Sequence, residues 1–343
     1  MKNKINIKNL SKDEIDRFIK ERGLPQYRAE QLFHWIYKKY VSSIDGITEF
    51  SKELREVLDK NAYISDLTLV HMKKSSDGTK KFLFSLEDGN TIESVLIPDE
   101  GRLTLCISSQ VGCAMGCRFC LTGQGGFIRN LKAYEIVDQI ISVNRLVRPE
   151  SISNVVLMGM GEPLANFDEV VDALWRIVDF IGISKRRITL STAGIVPKLR
   201  LFAEKAPEVN LAISLNATTD EERNELMPIN KTYPLPVLLA ACKKYPLRPG
   251  RKLTFEYVLI EGKNDSIEDA MRLVRLLKGI RCKVNLIPLN IHPGSGLKKL
   301  SDEKILIFQN ILLKNKMRAL IRESKGQDIL AACGQLQAGH KEK

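Results

Sequence analysis

Apolar residues recur along this chain with two periods. Between residues 12 and 62 the spacing is helical. "SKDEIDRFIKERG" opens on Ser11, a residue suited to cap a helix, and closes on Gly23, a residue suited to stop one. "YRAEQLFHWIYKKY" sets Leu32, Trp35 and Ile36 on one face with basic residues between them. These segments predict a small helical module, either a packing appendage or a grip on nucleic acid. From 66 to 108 the period drops to two. "LTLVHM", "KKFLFSL", "TIESVLIP" and "LTLCIS" read as short strands broken by Asp77-Gly78 and Asp88-Gly89 turns.

Beyond residue 104, strand and helix alternate. "LTLCIS" precedes the helical "AYEIVDQIISVNRLV", "NVVLMG" precedes "FDEVVDALWRIVDFI", and "RITLST" precedes "VPKLRLFAEKA". "NLAISLN", "KLTFEYVLIEG" and "KVNLIPLN" are each followed by a helical segment as well. Such repeats predict an α/β fold around a parallel sheet, either open or partly closed into a barrel. Ligands of these folds sit at the C-terminal ends of the strands.

The 343 residues suggest two domains as a first expectation, and 44% apolar content supplies a sizeable core. No apolar run reaches the ~18 residues of a membrane span. The N-terminus lacks the apolar stretch of a signal peptide. A cytoplasmic protein with no membrane partner is expected. The net charge of +12 suits a polyanionic partner, although a solvated basic surface has the same composition. Lys185, Arg186, Arg187, Arg28 and Lys38 are the first candidates for contacts to phosphate.

Seven cysteines, an odd number in a reducing compartment, argue against a disulfide framework. Three of them, Cys113, Cys117 and Cys120, form a C-x₃-C-x₂-C loop between Gly112 and Gly123. A structural zinc site needs a fourth ligand, and no histidine is near in sequence. A thioredoxin-type pair explains Cys117 and Cys120 but not Cys113. Three inert buried thiols suit a glycine-rich loop poorly. A [4Fe-4S] cube on three thiolates leaves one iron open to a second molecule.

With Phe119 before the last cysteine, at the first strand of an α/β repeat, this loop resembles the radical S-adenosylmethionine signature. "CISSQVGC", "GFIRNL", "MGMGEPLAN", "RRITLSTAGIVP", "LMPIN", "NLIPLN" and "DILAACGQL" follow in order. Together they resemble the RlmN family of RNA adenine methyltransferases from about residue 25 to 337. The sister family Cfr shares most of them.

The resemblance implies a partial (β/α)6 radical-SAM barrel with a small N-terminal helical domain and a β extension. The expected boundaries are 1–65 for the RNA-binding helical domain and 66–103 for the extension. The barrel core would run 104–322 and a C-terminal segment 323–343. It implies a [4Fe-4S] cluster on Cys113, Cys117 and Cys120, and two molecules of S-adenosylmethionine per methylation. Gly161 and Glu162 are matched to the methionine end of that cofactor. Ser191, Ser214, Leu215 and Asn216 are matched along it, and Asn290 to its adenosine end. Asn216 stands where many members carry His, and Lys325 where Arg is common. Cys333 is the implied methyl carrier, Cys106 the thiol that resolves its adduct as a disulfide, and Glu93 the general base.

The implied reaction is methylation at carbon 2 of adenine 2503 in 23S rRNA and of adenine 37 in tRNAs. A 5′-deoxyadenosyl radical would convert S-methylated Cys333 into a methylene radical that adds to the ring. The implied electron donor is flavodoxin or ferredoxin, and a monomer is expected. The sister chemistry at carbon 8, or an iron–sulfur RNA-binding protein without catalysis, are the alternatives. The run "GFIRNL" and Pro163 favour carbon 2. Arg129 and Asn130 are expected at the substrate mouth. Cys242 and Cys282 read as packing residues.

Overall fold

Ser11 caps α1 (Lys12–Lys20) by accepting from the Glu14 backbone, and the Glu14 carboxylate accepts from the Ser11 N–H in return. In the computed structural model, which describes residues 4–292 and 294–337, this helix opens the predicted N-terminal module. It is followed by α2 (Tyr27–His34) and α3 (Lys52–Asn61), with β1 (Ile5–Asn6) and β2 (Ala62–Tyr63) paired in parallel at its edges. Ile15, Phe18, Ile19 and Leu32 fill its interior.

A buried polar joint ties the module to the rest. Lys8 Nζ donates to Asp138 at 2.6 Å with both side chains 1% exposed. Arg176 donates to the Lys8 carbonyl and pairs with Asp172 at 2.8 Å. A buried pair contributes little net stability, but removing one partner strands a charge.

The four period-two runs form β3 (Thr68–Lys74), β4 (Lys80–Ser85), β5 (Thr91–Asp99) and β6 (Arg102–Cys106), an antiparallel meander. Its turns place Gly78 and Gly89 at positive φ. β6 is also the first parallel strand. After it, β7 (Gln110–Gly112), α4 (Leu121–Gln124) and β8 (Phe127–Asn130) bracket the cysteine loop. The repeats continue through α5 (Ala133–Val147), β9 (Asn154–Leu157), α6 (Phe167–Arg176), β10 (Ile188–Thr192), α7 (Val196–Lys205) and β11 (Asn210–Ser214). They end with α8 (Asp220–Leu226), α9 (Leu235–Lys244), β12 (Leu253–Leu259), α10 (Ile267–Leu276), β13 (Cys282–Pro288), α11 (Asp302–Lys314) and β14 (Ala319–Ile321).

The strands form one ten-stranded sheet in the order β14-β13-β12-β11-β10-β9-β6-β5-β4-β3. From β6 to β14 every neighbouring pair is parallel, with β14 and β3 as edges, so the barrel stays open as expected. Two features differ from the sequence reading. The β extension continues the barrel sheet through β5–β6 pairing, and a seventh parallel strand, β14, is too short to show a period. Residues 338–343 of the expected C-terminal segment lie outside the described residues.

Buried parallel strands usually read as continuous apolar runs. Here they alternate. Leu105, Val155, Leu190, Ile213, Phe255 and Leu286 are shielded in the main core. Thr189, Ser191, Ser214, Glu256 and Asn285, from the alternate positions, line cavities instead. The lumen is therefore hollow and carries polar side chains among its apolar ones, rather than being packed with aliphatic layers.

Candidate active site

The cysteine loop is held by backbone geometry. Gly112 has φ +74°, and a Cβ there would lie 2.0 Å from the Gly126 carbonyl oxygen. That oxygen accepts the Cys113 N–H at 2.7 Å. Downstream, the Cys120 N–H donates to the Cys117 carbonyl at 3.1 Å, and the Leu121 N–H donates to the Gly334 carbonyl at 2.7 Å. The loop thus docks directly on the C-terminal segment.

Cys113, Cys117 and Cys120 line one cavity of about 170 Å³ at the C-terminal ends of the strands. Gly161, Glu162, Ser191, Ser214, Asn216 and Asn290 share its wall. Leu215 does not face it; its backbone N–H donates to the Glu256 carbonyl at 3.0 Å.

Glu162 is almost fully buried, and burial raises its pKa against the hydrogen bonds it receives. It accepts from Thr192 Oγ1 at 2.6 Å and from the N–H groups of Ala193 at 2.6 Å and Leu164 at 3.0 Å. A carboxylate has about four lone-pair sites, so one remains for a ligand ammonium. Gly161, at φ +102°, is required by packing: a Cβ would meet Gln110 Cβ at 2.6 Å. Asn216 also has positive φ; its Oδ1 accepts the Val258 N–H at 2.8 Å and its Nδ2 donates to Met227 Sδ at 3.2 Å.

A second cavity, of about 780 Å³, opens toward the N-terminal ends of the strands. Cys106 faces this cavity alone. Met158, Glu256, Ile287, Asn290 and Cys333 face both. Cys333 therefore stands in the partition between the cluster-side cavity and the larger one. Water reaches Cys333, yet surrounding protein walls push its thiol up to about 11. Cys106 is buried, and burial pushes its thiol higher still.

The Cys333 loop is clasped from outside the barrel. Ser75 Oγ donates to Asp328 at 2.6 Å, and the Ser76 N–H donates to the same carboxylate at 3.1 Å. The Gly326 N–H donates to Asp77 at 2.8 Å. Lys81 donates to the Leu330 carbonyl at 3.2 Å, and Asn290 Nδ2 to the Cys333 carbonyl at 3.1 Å. Glu93, expected as a base, lines neither cavity. It pairs with Lys81 at 2.9 Å and accepts the Gln337 N–H at 2.9 Å.

Arg129 and Asn130 are not at the mouth either. Arg129 forms a two-pronged pair with Glu135, both bonds 2.8 Å, and also reaches Asp88; Asn130 accepts from Gln110 Nε2. Of the candidate phosphate contacts, Lys38 donates to the Ile181 carbonyl and Lys185 lies 3.7 Å from Glu208. Sequence reasoning passed over Arg223, which is fully buried and braces the strand ends through the carbonyls of Leu215, Ser214 and Ala193. It also donates to Asn230 of "LMPIN" at 2.9 Å. Glu256 and Asn285 were missed as well, although a polar residue inside a buried parallel strand was a readable signal.

An open parallel barrel with three thiols converging at its strand ends defines a radical S-adenosylmethionine enzyme. Residues 107–274 match the family described as "Radical SAM superfamily", and residues 5–64 match "Ribosomal RNA large subunit methyltransferase N-terminal domain". The chain is 50% identical to the dual-specificity RNA methyltransferase RlmN of Pelobacter propionicus, over 98% of this chain and 96% of that one. It is 51% identical to the RlmN of Geobacter sulfurreducens, over 97% and 92%. A crystal structure of a radical SAM methyltransferase from Sphaerobacter thermophilus superposes with a TM-score of 0.93 at 42% identity, over 97% of this chain and 99% of that one. The chain belongs to the RlmN family of dual-specificity RNA methyltransferases.

Enzymes of this kind use a [4Fe-4S] cluster and S-adenosylmethionine, and the residues fit both. Burial, with crowding by neighbouring thiols, pushes Cys113 up to about 11 and Cys117 well above the usual thiol range. A bound metal holds such thiols in their charged form. Among the described residues no three ligands are set to grip a single ion.

Proposed function

We propose that this enzyme methylates carbon 2 of adenine in 23S rRNA, at adenine 2503, and of adenine 37 in tRNAs, with Cys333 as the methyl carrier. The observation that carries the reading is the position of Cys333, facing the cluster-side cavity on one side and the Cys106 cavity on the other. Carbon 2 of adenine is not nucleophilic, so the methyl group needs an activated carrier.

When bound, the cluster and S-adenosylmethionine supply the methyl group and the hydrogen-abstracting radical. Cys113, Cys117 and Cys120 hold the iron, and Glu162 with Ser191, Ser214 and Asn290 holds the cofactor. Cys333 sulfur takes a methyl group as the sulfonium carbon bond breaks and the thiol proton leaves. A hydrogen atom then leaves that methyl, and the methylene bonds to the ring, tethering RNA to protein. The ring hydrogen departs as a proton, and the cluster that Cys113, Cys117 and Cys120 would hold would supply the acceptor for the odd electron left on the ring. Cys106 sulfur attacks Cys333 sulfur, a disulfide forms, and the carbon–sulfur electron pair stays with the RNA carbon, which gains a proton. Glu93 serves as base once it exchanges the Gln337 N–H for the substrate. Flavodoxin or ferredoxin supplies the electron, and the enzyme works as a monomer.

Chromatography of nuclease-digested product tests the reading. 2-Methyladenosine is expected. A dominant 8-methyladenosine peak would move the chemistry to carbon 8, and bound RNA with no methylated nucleoside would leave only an RNA-binding protein.

A further inference from the structure

Within this reading, we infer that the target nucleotide enters the barrel from the N-terminal ends of the strands, with its phosphate held by Lys283, Arg318 and Arg322. The two cavities already divide the chemistry. The three cluster thiols face only the smaller one, Cys106 faces only the larger, and Cys333 faces both. RNA that leaves Cys333 through attack by Cys106 must occupy the larger side. At about 780 Å³ it lies within the size range of sites that enclose a small organic ligand.

The charges at its mouth point the same way. Lys283 lies near the start of β13, while Arg318 and Arg322 flank β14. All three line the cavity. None has a carboxylate within ion-pair reach among the described residues. Of the acidic groups on the same wall, Asp99 pairs with Arg102 and Glu323 with Lys325, while Glu256 accepts from Asn285 Nδ2 and acts on Lys283 and Arg322 only from beyond ion-pair distance. Burial pulls the Lys283 ammonium down; Glu256 pulls it back, and Arg322 and Arg318 push it further down, so the cations sit close enough to repel. Three cations of one sign are grouped at this mouth, Lys283 half-buried and Arg318 and Arg322 exposed, and a phosphodiester is the anion an RNA substrate brings to offset their repulsion.

An independent observation lies deeper in the lumen. Asn285 is more than nine-tenths buried, and its Oδ1 has no hydrogen-bond partner. An orphaned acceptor in a cavity indicates a missing donor. The exocyclic amine of adenine is such a donor.

The test uses cluster-reconstituted full-length protein and a short fluorescein-labelled RNA hairpin with an adenosine in its loop, by anisotropy across a salt series. Lys283→Gln combined with Arg318→Gln is expected to weaken binding about tenfold and to flatten the log–log salt slope by about 1.4–1.8, about 0.7–0.9 per contact. Arg200→Gln combined with Lys304→Gln, on exposed cations outside this cavity that already pair with Glu204 and Glu261, is the reference and should change both much less. Should the Lys283 variant fail to fold, the exposed Arg318→Gln alone is expected to flatten the slope by about 0.7–0.9. Wild-type affinity and slope in the Lys283/Arg318 variants, with 2-methyladenosine still formed, would overturn this entry face and leave the proposed reaction standing. A wild-type protein that binds no hairpin and forms no methyladenosine would remove the reading on which the inference rests.

Discussion

The backbone N–H of Gln337 donates to the Glu93 carboxylate at 2.9 Å, four residues beyond the Cys333 thiol. The other Glu93 oxygen pairs with Lys81, and Lys81 in turn holds the Leu330 carbonyl. The β extension therefore grips the Cys333 loop on both sides of its cysteine, a role that the strand pattern of residues 66–103 did not show.

Loosening the grip should free the loop without unfolding the barrel. Asp328→Ala removes the contacts to Ser75 and Ser76. Hydrogen exchange across 326–337 is expected to rise, and iodoacetamide labelling of Cys333 to accelerate several-fold, with little change in global melting. Unchanged labelling would show that the clasp does not hold the loop.

Acid should release the same clasp. Burial works to raise Asp77, but hydrogen bonds from Gly326 and Thr79 outweigh it and hold the carboxyl at about 2. Because the folded value lies below the unfolded 3.8, the contact contributes fully above about pH 4 and is lost as pH falls toward 2. Pepsin cleavage within 323–337 should therefore appear below about pH 3 and be absent at pH 4.

Serine at Cys113, Cys117 or Cys120 is expected to abolish iron binding, brown colour and cleavage of S-adenosylmethionine. Iron and sulfide analysis of each variant checks this. Full iron content with turnover in any one of them would remove that thiol from the cluster.

The two remaining chemical cysteines should fail differently. Cys333→Ala leaves no residue to carry the methyl group, so RNA stays unmethylated while reduced protein still cleaves the cofactor. Cys106→Ala lacks the resolving thiol and should accumulate a protein–RNA adduct visible on denaturing gels.

The buried Lys8–Asp138 pair gives a stability prediction. Lys8→Met strands the carboxylate and should cost about 3–5 kcal/mol. Adding Asp138→Leu should recover most of that loss in denaturant melts, because the stranded charge is gone.

Much of this was readable in the sequence because motifs here are also scaffolding. Gln110, Asn130 and Asn166, in three separate motifs, bond to one another's segments: Asn166 Nδ2 donates to the Ser109 and Leu131 carbonyls, and Gln110 bridges Glu162 and Asn130. Six of the seven parallel strands announced themselves by period, whereas β14 has only three residues. What escaped was which neighbour each charged residue meets. Arg129 looked free for substrate but is consumed by Glu135 and Asp88. Lys283, which no motif singles out, faces a cavity with no carboxylate within ion-pair distance among the described residues. Such pairings depend on contacts between distant segments, which no local pattern records.

The central claim is that the methyl group reaches RNA by way of Cys333. Enzyme premethylated with methyl-deuterated S-adenosylmethionine, then desalted and given RNA with unlabelled cofactor, tests it in one turnover. The account predicts that the first methyladenosine formed retains two deuterons from the Cys333 methyl, with the third lost to the cleaved cofactor. A first product carrying an unlabelled methyl group, with the deuterated methyl still on Cys333, would contradict it.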